Sequence, residues 1–136
     1  MRGAEIFFDT NVVLYLLSAD TVKADQAEEL LSLGGVISVQ VLNEFAAVAC
    51  GKLRMSWRDI REVLAQVRAV CRVEPVSVDT HDRATQLAER YGLSVYDSLI
   101  VAAALLAGCR RLYSEDMQDG QVFDRLLTIR NPFNVG

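Results

Sequence analysis

Histidine and lysine are scarce in this sequence. His81 is its one histidine, and Lys23 and Lys52 are its two lysines. A single imidazole excludes metal sites built from several histidines and removes most Ser-His-Asp and Cys-His mechanisms. Neither lysine belongs to a glycine-rich phosphate loop, which excludes a P-loop nucleotide site. Unless His81 is central to it, catalysis by this chain would depend on carboxylates, for which a hard metal ion is a candidate partner.

Cysteine and long apolar runs are also limited. Cys50, Cys71 and Cys109 are far apart and form no C-x-x-C pair, which excludes a zinc ribbon and a thioredoxin-type motif. We expect three reduced thiols in the core of a cytoplasmic protein. The apolar stretch at residues 98–108 has 11 residues, whereas a membrane-spanning helix needs about 20. We therefore expect that this protein has no membrane partner.

Length and charge limit the remaining classes. Of the 136 residues, 51% are hydrophobic and 24% are charged, which is an ordinary globular balance. Because one domain usually takes about 100–200 residues, we expect residues 1–136 to form a single domain. The net charge of −4 gives no overall attraction to phosphate, so binding of nucleic acid would need a local basic patch or a metal ion.

Short apolar segments alternate with helical segments along the whole chain. We predict strands at residues 5–8, 36–38, 73–78, 111–113 and 127–130. Helices are predicted at residues 21–33, 39–51 and 96–107, and a helix or a turn at residues 11–17. Two further helices are predicted from their caps: one begins after Ser56, and one begins at the cap pattern of Asp79 and Asp82 and ends at Gly92. This alternation predicts the α/β class, with a mostly parallel sheet and helices on both faces.

Four acidic residues occupy notable positions in this pattern. Asp9 directly follows the first strand, and Asp116 lies in the loop after the fourth strand. The carboxyl ends of parallel strands form the edge where ligands bind in such sheets. Glu44 and Asp97 stand within apolar helical segments, where an uncompensated charge is costly.

A divalent cation at that edge would account for all four acids, because it relieves the repulsion between neighbouring carboxylates. Oxygen ligands without histidine favour Mg²⁺ or Mn²⁺ over Zn²⁺. Each acid also has a simpler interpretation. Asp9 and Asp97 are each suited to an N-cap, Glu44 to the solvent side of its helix, and Asp116 to an ordinary polar loop.

Four sequence segments, taken in order, resemble a known family. They are FFDTNVVLY at 7–15, NEF at 43–45, YDSLIVAAA at 96–104 and YSEDMQDG at 113–120. With the closing NPF at 131–133, their order and spacing resemble the PIN-domain ribonucleases from Ile6 to Phe133. Within that family the sequence looks most like the VapC toxins of type II toxin–antitoxin pairs.

The resemblance implies a three-layer α/β/α fold and a Mg²⁺ or Mn²⁺ site formed by Asp9, Glu44, Asp97 and Asp116. Asp9 and Asp97 are implied as direct ligands, whereas Glu44 and Asp116 would act directly or through water. The polar positions that orient these acids are matched by Thr10, Asn11 and Ser114. Asp119 is left open between an extra acid near the metal and the start of a turn at Gly120.

The implied reaction is hydrolysis of an RNA phosphodiester by a metal-activated water, which leaves a 5′-phosphate and a 3′-hydroxyl. The alternative is a catalytically silent PIN-like module that binds RNA or a protein. Loss of an acid would indicate that alternative, and all four acids are present.

The resemblance also implies partners: an RNA substrate, a small antitoxin whose C-terminal segment covers the acidic site, and a second copy in a homodimer. Arg58, Arg61 and Arg68 share one predicted helix face just after Lys52 and Arg54, and they are candidate RNA contacts. A solvated face, or a face that pairs with acids of the antitoxin, is the alternative. We expect His81 to be a surface residue without a catalytic role.

Overall fold

The computed structural model describes residues 5–133, which form six helices and six strands within that range. The helices are α1 (Thr10–Leu14), α2 (Thr21–Ser32), α3 (Val39–Gly51), α4 (Trp57–Val70), α5 (Val78–Tyr91) and α6 (Val95–Leu106). The strands are β1 (Ile6–Phe8), β2 (Gly35–Ser38), β3 (Cys71–Glu74), β4 (Arg111–Tyr113), β5 (Val122–Phe123) and β6 (Leu127–Arg130). A 3-10 turn at Tyr15–Leu17 continues α1.

The strands form one sheet in the order β3-β2-β1-β4-β6-β5. Every neighbouring pair is parallel except β5 and β6, which are antiparallel. The first half of the chain builds outward from β1 to β3, and the second half adds β4 on the other side of β1. The strand order therefore reverses at β1, and ligands bind near such a reversal in open α/β sheets.

Both faces of the central sheet are covered. Successive residues of a strand point to opposite faces, and Phe7 and Phe8 of β1 are both almost fully buried, as are Val36 and Ile37 of β2. Helices α5 and α6 pack on each other, while α1 to α4 form a second group of contacts. This arrangement confirms the predicted α/β class with a mostly parallel sheet, and strands buried on both faces explain the continuous apolar runs in the sequence.

Gly35 sets the close approach of β1 and β2. A Cβ atom at this position would lie 2.4 Å from Cε2 of Phe8 and 2.9 Å from the carbonyl oxygen of Ile6. Backbone and a fully buried ring cannot move aside to accept an added carbon. Glycine at position 35 therefore allows the Phe8 ring to pack across the neighbouring strand.

Serine residues are the N-caps of several helices. Ser38, Ser56 and Ser94 accept hydrogen bonds from backbone amides near the starts of α3, α4 and α6. Such N-caps satisfy amides that have no partner inside the helix. The predicted cap at Ser56 is confirmed.

Two predictions around β3 were wrong. The strand spans Cys71–Glu74 rather than residues 73–78, because pairing with β2 aligns Cys71 with Gly35 and Glu74 with Ser38. Helix α5 is capped by Ser77, which forms a capping box with Thr80, instead of by the Asp79 and Asp82 pattern. The two-residue strand β5 was not predicted at all.

The cysteine and histidine residues, which are scarce in the sequence, lie at ordinary structural positions. Burial raises the pKa of the Cys71 and Cys109 thiols to about 11, and this suits core packing rather than reactivity. His81 is exposed on α5, as expected. No described helix is long and apolar enough to cross a membrane.

Candidate active site

The carboxyl edge of the sheet brings the four predicted acids around one cavity of about 230 Å³. Asp9 follows β1 and Asp116 follows β4, while Glu44 lies in the second turn of α3 and Asp97 in the first turn of α6. Two strand ends and two helices thus supply one acid each. All four line the cavity, together with Thr10 and Asn11.

Asp9 is the most deeply buried of the four, with 7% of its surface exposed. Its Oδ1 accepts a hydrogen bond from the Thr10 amide at 2.7 Å, so the residue is also the N-cap of α1. Its Oδ2 accepts from the Ser114 hydroxyl at 2.8 Å and from Asn11 Nδ2 at 3.3 Å. Asp9 is therefore the N-cap of α1 and also lines the cavity, so the two interpretations of this residue are compatible.

Burial dominates the titration of Asp9. Desolvation raises the pKa of its carboxyl from 3.8 to about 6, and the charges of Glu44 and Asp116 add to this effect. The hydrogen bonds from Ser114 and Thr10 oppose it. The site thus holds a carboxylate whose negative charge is only partly compensated by the protein.

Ser114 and Asn11 connect the acids that follow β1 and β4. Asn11 Nδ2 lies 3.2 Å from Oδ2 of Asp116 and 3.3 Å from the hydroxyl of Ser114. The Ser114 hydroxyl also accepts from the backbone amide of Asp116 at 3.2 Å. Ser114 is fully buried, so one hydroxyl fixes the loop after β4 against the residue that follows β1.

Glu44 is half-buried and faces the site. Its Oε1 accepts a hydrogen bond from the Thr10 hydroxyl at 2.7 Å. The polar residues predicted to orient the acids, Thr10, Asn11 and Ser114, therefore all contact at least one of them in the structure.

Asp97 is exposed at the cavity wall. The cap of α6 is Ser94, whose hydroxyl accepts from the Asp97 amide at 3.1 Å. The interpretation of Asp97 as the N-cap of this helix was therefore wrong, and its carboxylate is left to face the cavity.

Other sequence candidates lie outside this cavity. Asp119 accepts a hydrogen bond from the backbone amide of Asn131 at 3.0 Å and does not line it. Arg58, Arg61 and Arg68 are exposed on α4 and do not line it either. Arg58 lies 3.6 Å from Glu62 in an exposed ion pair.

Gln40 and Tyr96 also line the cavity, and sequence analysis missed both. Gln40 Nε2 donates to the carbonyl oxygen of Tyr96 at 3.1 Å, while its Oε1 is buried without a hydrogen-bond partner. Gln40 stands four residues before Glu44, which places both on one face of α3. The spacing of four residues from Glu44 was the sequence signal that could have identified Gln40.

The donor set fits a hard divalent cation. The cavity lining holds four carboxylates and neither a lysine nor an arginine, and oxygen donors of this kind are the ligands that Mg²⁺ and Mn²⁺ prefer. As the side chains stand, no three acidic, cysteine or histidine groups within residues 5–133 are arranged so that they could hold one ion together. Mg²⁺ keeps several of its waters in protein sites, so carboxylates further apart still suit a hydrated ion.

Toxins and a toxin–antitoxin complex are among the solved structures that share this fold. A toxin–antitoxin complex from Klebsiella pneumoniae has a TM-score of 0.71 and 22% identity, covering 94% of this chain and 98% of that one. VapC20 from Mycobacterium tuberculosis, a toxin that cleaves the sarcin-ricin loop, has a TM-score of 0.65 and 24% identity, covering 82% of this chain and 89% of that one. VapBC2 from Rickettsia felis, bound to a DNA fragment from its promoter, has a TM-score of 0.62 and 19% identity, covering 93% and 97%.

At these identities the similarity establishes the fold. No curated protein matches the sequence. The family model of the PIN domain matches residues 6–125, a span that includes Asp9, Glu44, Asp97 and Asp116. The chain therefore belongs to the PIN-domain family.

Proposed function

We propose that this chain, residues 1–136 acting as one nuclease domain, is a metal-dependent endoribonuclease and the toxin of a toxin–antitoxin pair. One observation carries the proposal: four carboxylates from separate elements line a single cavity that no basic side chain lines. Without a bound cation such a cluster of carboxylates destabilises the fold, because like charges repel at close range. Its cost is explained if the cavity serves to bind a cation.

In this proposal Asp9 and Asp97 hold Mg²⁺ or Mn²⁺ directly, and Glu44 and Asp116 hold it directly or through water. A bound ion of this kind lowers the pKa of a water and offsets the charge of a phosphodiester. Hydrolysis would add the water oxygen to phosphorus and break the bond to the 3′ oxygen, which would take up a proton from that water, so the products would carry a 5′-phosphate and a 3′-hydroxyl.

The protein's own polar groups keep the carboxylates oriented. Ser114 and Asn11 fix one oxygen of Asp9, and the Thr10 hydroxyl fixes one oxygen of Glu44. Since these donors already point at the acids, little reorganisation accompanies the reaction, and preorganised groups of this kind lower the barrier.

The proposed partners follow from the same family. The solved neighbours include a toxin–antitoxin complex and VapBC2 bound to promoter DNA, so a small antitoxin that covers the acidic cavity is the proposed physiological inhibitor. A homodimer is also proposed, as is common in this family. The alternative function, a silent PIN-like module that binds RNA or protein, predicts neither metal binding nor cleavage.

The test is cleavage of a labelled RNA pool by the purified chain with Mg²⁺, Mn²⁺ or EDTA. We expect cleavage with either metal, none with EDTA, and a loss of at least about 100-fold in the variant Asp97→Asn, because one ligand charge is removed. The matched control Asp25→Asn changes an exposed acid of α2 outside the cavity and should keep full activity. Cleavage that survives EDTA or Asp97→Asn would contradict the proposal, and absence of both cleavage and metal binding would favour the silent module.

A further inference from the structure

A second cavity adjoins the acidic one. It has a volume of about 360 Å³ and shares four lining residues with the acidic cavity: Asn11, Leu14, Val48 and Asp116. The shared residues place the two cavities side by side along α1 and α3, and the two cavities together are called the groove. A linear polymer with one monomer in the acidic cavity would place the next monomer in the second cavity.

Lys52 gives this second cavity its charge character. Among the described residues, it is the one lysine or arginine that lines either cavity. It stands at the C-terminal cap of α3, is exposed, and takes part in no ion pair within residues 5–133. Its ammonium group is therefore available to a ligand.

The acidic groups in the second cavity are already engaged. Glu115 accepts a hydrogen bond from the Tyr15 hydroxyl at 2.5 Å, and its Oε2 lies 3.3 Å from Nζ of Lys23. Asp116 belongs to the acidic site. The charge that remains without a partner in this part of the groove is thus the positive charge of Lys52.

The rest of the second cavity is largely apolar. Leu14, Leu17, Val48 and Leu53 contribute to its lining, and Leu53 is 45% exposed. An apolar surface beside a lone cation suits a flexible strand, because unstacked bases can lie on the apolar side chains while the backbone meets the cation. A double helix keeps its bases stacked inside and cannot use such a surface.

We propose that this groove is a binding subsite for single-stranded RNA, in which Lys52 contacts the phosphate next to the one held in the acidic cavity. The nucleoside between the two phosphates lies on the apolar surface formed by Leu14, Val48 and Leu53. The inference rests on the proposed function for the position of the cleaved phosphate. It adds the direction in which the strand leaves the site, from Asp116 toward Lys52.

Binding of a labelled single-stranded RNA pool tests the subsite, measured by fluorescence anisotropy in the Asp97→Asn background with Mn²⁺ at several salt concentrations. Lys52→Gln should weaken binding about fivefold at low salt and lower the salt slope by about 0.7, the value for one phosphate contact to a single strand. Lys52→Arg should restore both. The matched control Arg110→Gln removes an exposed charge just before β4, at the opposite edge of the sheet, and should change neither.

Kinetics with the otherwise unchanged chain give a second measurement. Lys52→Gln should raise KM about fivefold and leave kcat unchanged, because a flanking contact binds substrate and transition state equally. If Lys52→Gln behaves like Arg110→Gln, or if duplex RNA competes as well as single-stranded RNA, the subsite is overturned while the nuclease proposal stands. If RNA binds in a Lys52-dependent way but is not cleaved, the subsite stands and the nuclease proposal fails. If no RNA binds, both fail.

Discussion

At the scale of single residues, Asp9 shows how the site combines structural and chemical demands. The carboxylate caps α1 through the Thr10 amide and receives the Ser114 hydroxyl, yet burial still raises its pKa to about 6. The hydrogen bonds that Asp9 accepts therefore do not fully replace the water that burial removes. A ligand of opposite charge would complete the compensation, as the proposed metal does.

Asp124 is a contrasting residue, in which the protein itself supplies the compensation. It lies in the turn between β5 and β6 with a φ of 51°. Its carboxylate accepts hydrogen bonds from Arg83 at 2.7 Å, Arg90 at 3.0 Å and the Tyr91 hydroxyl at 3.0 Å. Desolvation acts to raise its pKa, but these donors together outweigh that effect and lower the pKa below 3.8.

We predict that Asp124→Asn lowers the free energy of unfolding by about 1 kcal/mol at pH 7, a modest value because the arginines are partly exposed. A carboxyl group with a lowered pKa stabilises the fold above its unfolded pKa, and this contribution disappears as the pH falls through the folded value. The difference between the two proteins should therefore shrink below about pH 4 in chemical denaturation.

Asparagine tolerates the positive φ at this position, so the change tests the charge and not the backbone. The control Asp82→Asn removes an exposed carboxylate of α5 and should leave stability nearly unchanged at both pH values. A difference for Asp124→Asn that stays constant down to pH 2.5 would contradict the electrostatic explanation.

At the scale of elements, the loop after β4 is held against α1 and α2 by a small polar cluster. The Tyr15 hydroxyl donates to Glu115 and accepts from Lys23 at 3.1 Å, and the amide of Glu115 donates to Asn11 Oδ1 at 3.1 Å. The Tyr15 ring packs edge-on against Phe133 with 4.7 Å between centroids. Because Asp116 follows Glu115 directly, this cluster fixes the position of an acid of the site.

Tyr15→Phe tests that role without changing any charge. We predict that the Kd for Mn²⁺, measured by calorimetry, rises roughly threefold to tenfold, less than the 10–100-fold typical of groups that contact metal ligands directly. The thermal midpoint should change little, since the ring and its contact with Phe133 remain.

Tyr113→Phe serves as the control for this prediction, because the Tyr113 hydroxyl takes part in no hydrogen bond within residues 5–133 and the ring stays in place beside Phe8. Its Kd for Mn²⁺ should equal that of the unchanged chain. An unaltered Kd in Tyr15→Phe would show that Asp116 is positioned by Asn11 and Ser114 alone.

At the scale of the whole molecule, a net charge of −4 must be reconciled with the proposed binding of RNA, a polyanion. The loop after α3 and the exposed face of α4 carry positive charges close together in sequence: Lys52, Arg54, Arg58, Arg61 and Arg68. Local charge, rather than net charge, sets the attraction of a strand to a surface.

We predict that replacing Arg58, Arg61 and Arg68 together by glutamine weakens RNA binding and lowers its salt slope by up to about 2, if each contacts one phosphate of a single strand. Arg58 already pairs with Glu62, so a smaller change would assign the contacts to the other two. An unchanged slope would return this face to the interpretation of a solvated helix, or of a surface for the antitoxin.

The sequence alone predicted most of the local elements and the four acids that line the cavity. Strands β4 and β6 and helix α3 have the predicted bounds, because apolar periodicity and capping residues act within a few positions of the chain. Asp9 and Asp116 stood out because they follow predicted strands, at the edge of the sheet where ligands bind. Glu44 and Asp97 stood out because a carboxylate within an apolar helical segment is costly.

Tertiary structure decided what local chemistry leaves open. Strand β3 ends at Glu74, where its pairing with β2 ends, although the sequence predicted a strand to residue 78. The reversal of strand order at β1 placed β4 beside β1 and so put Ser114 within 2.8 Å of Asp9, across 105 residues of sequence. The roles of Gln40, of the cluster around Tyr15 and of Lys52 beside the acidic cavity likewise arise only when distant elements meet, since hydrogen bonds and shared cavities depend on distance in space.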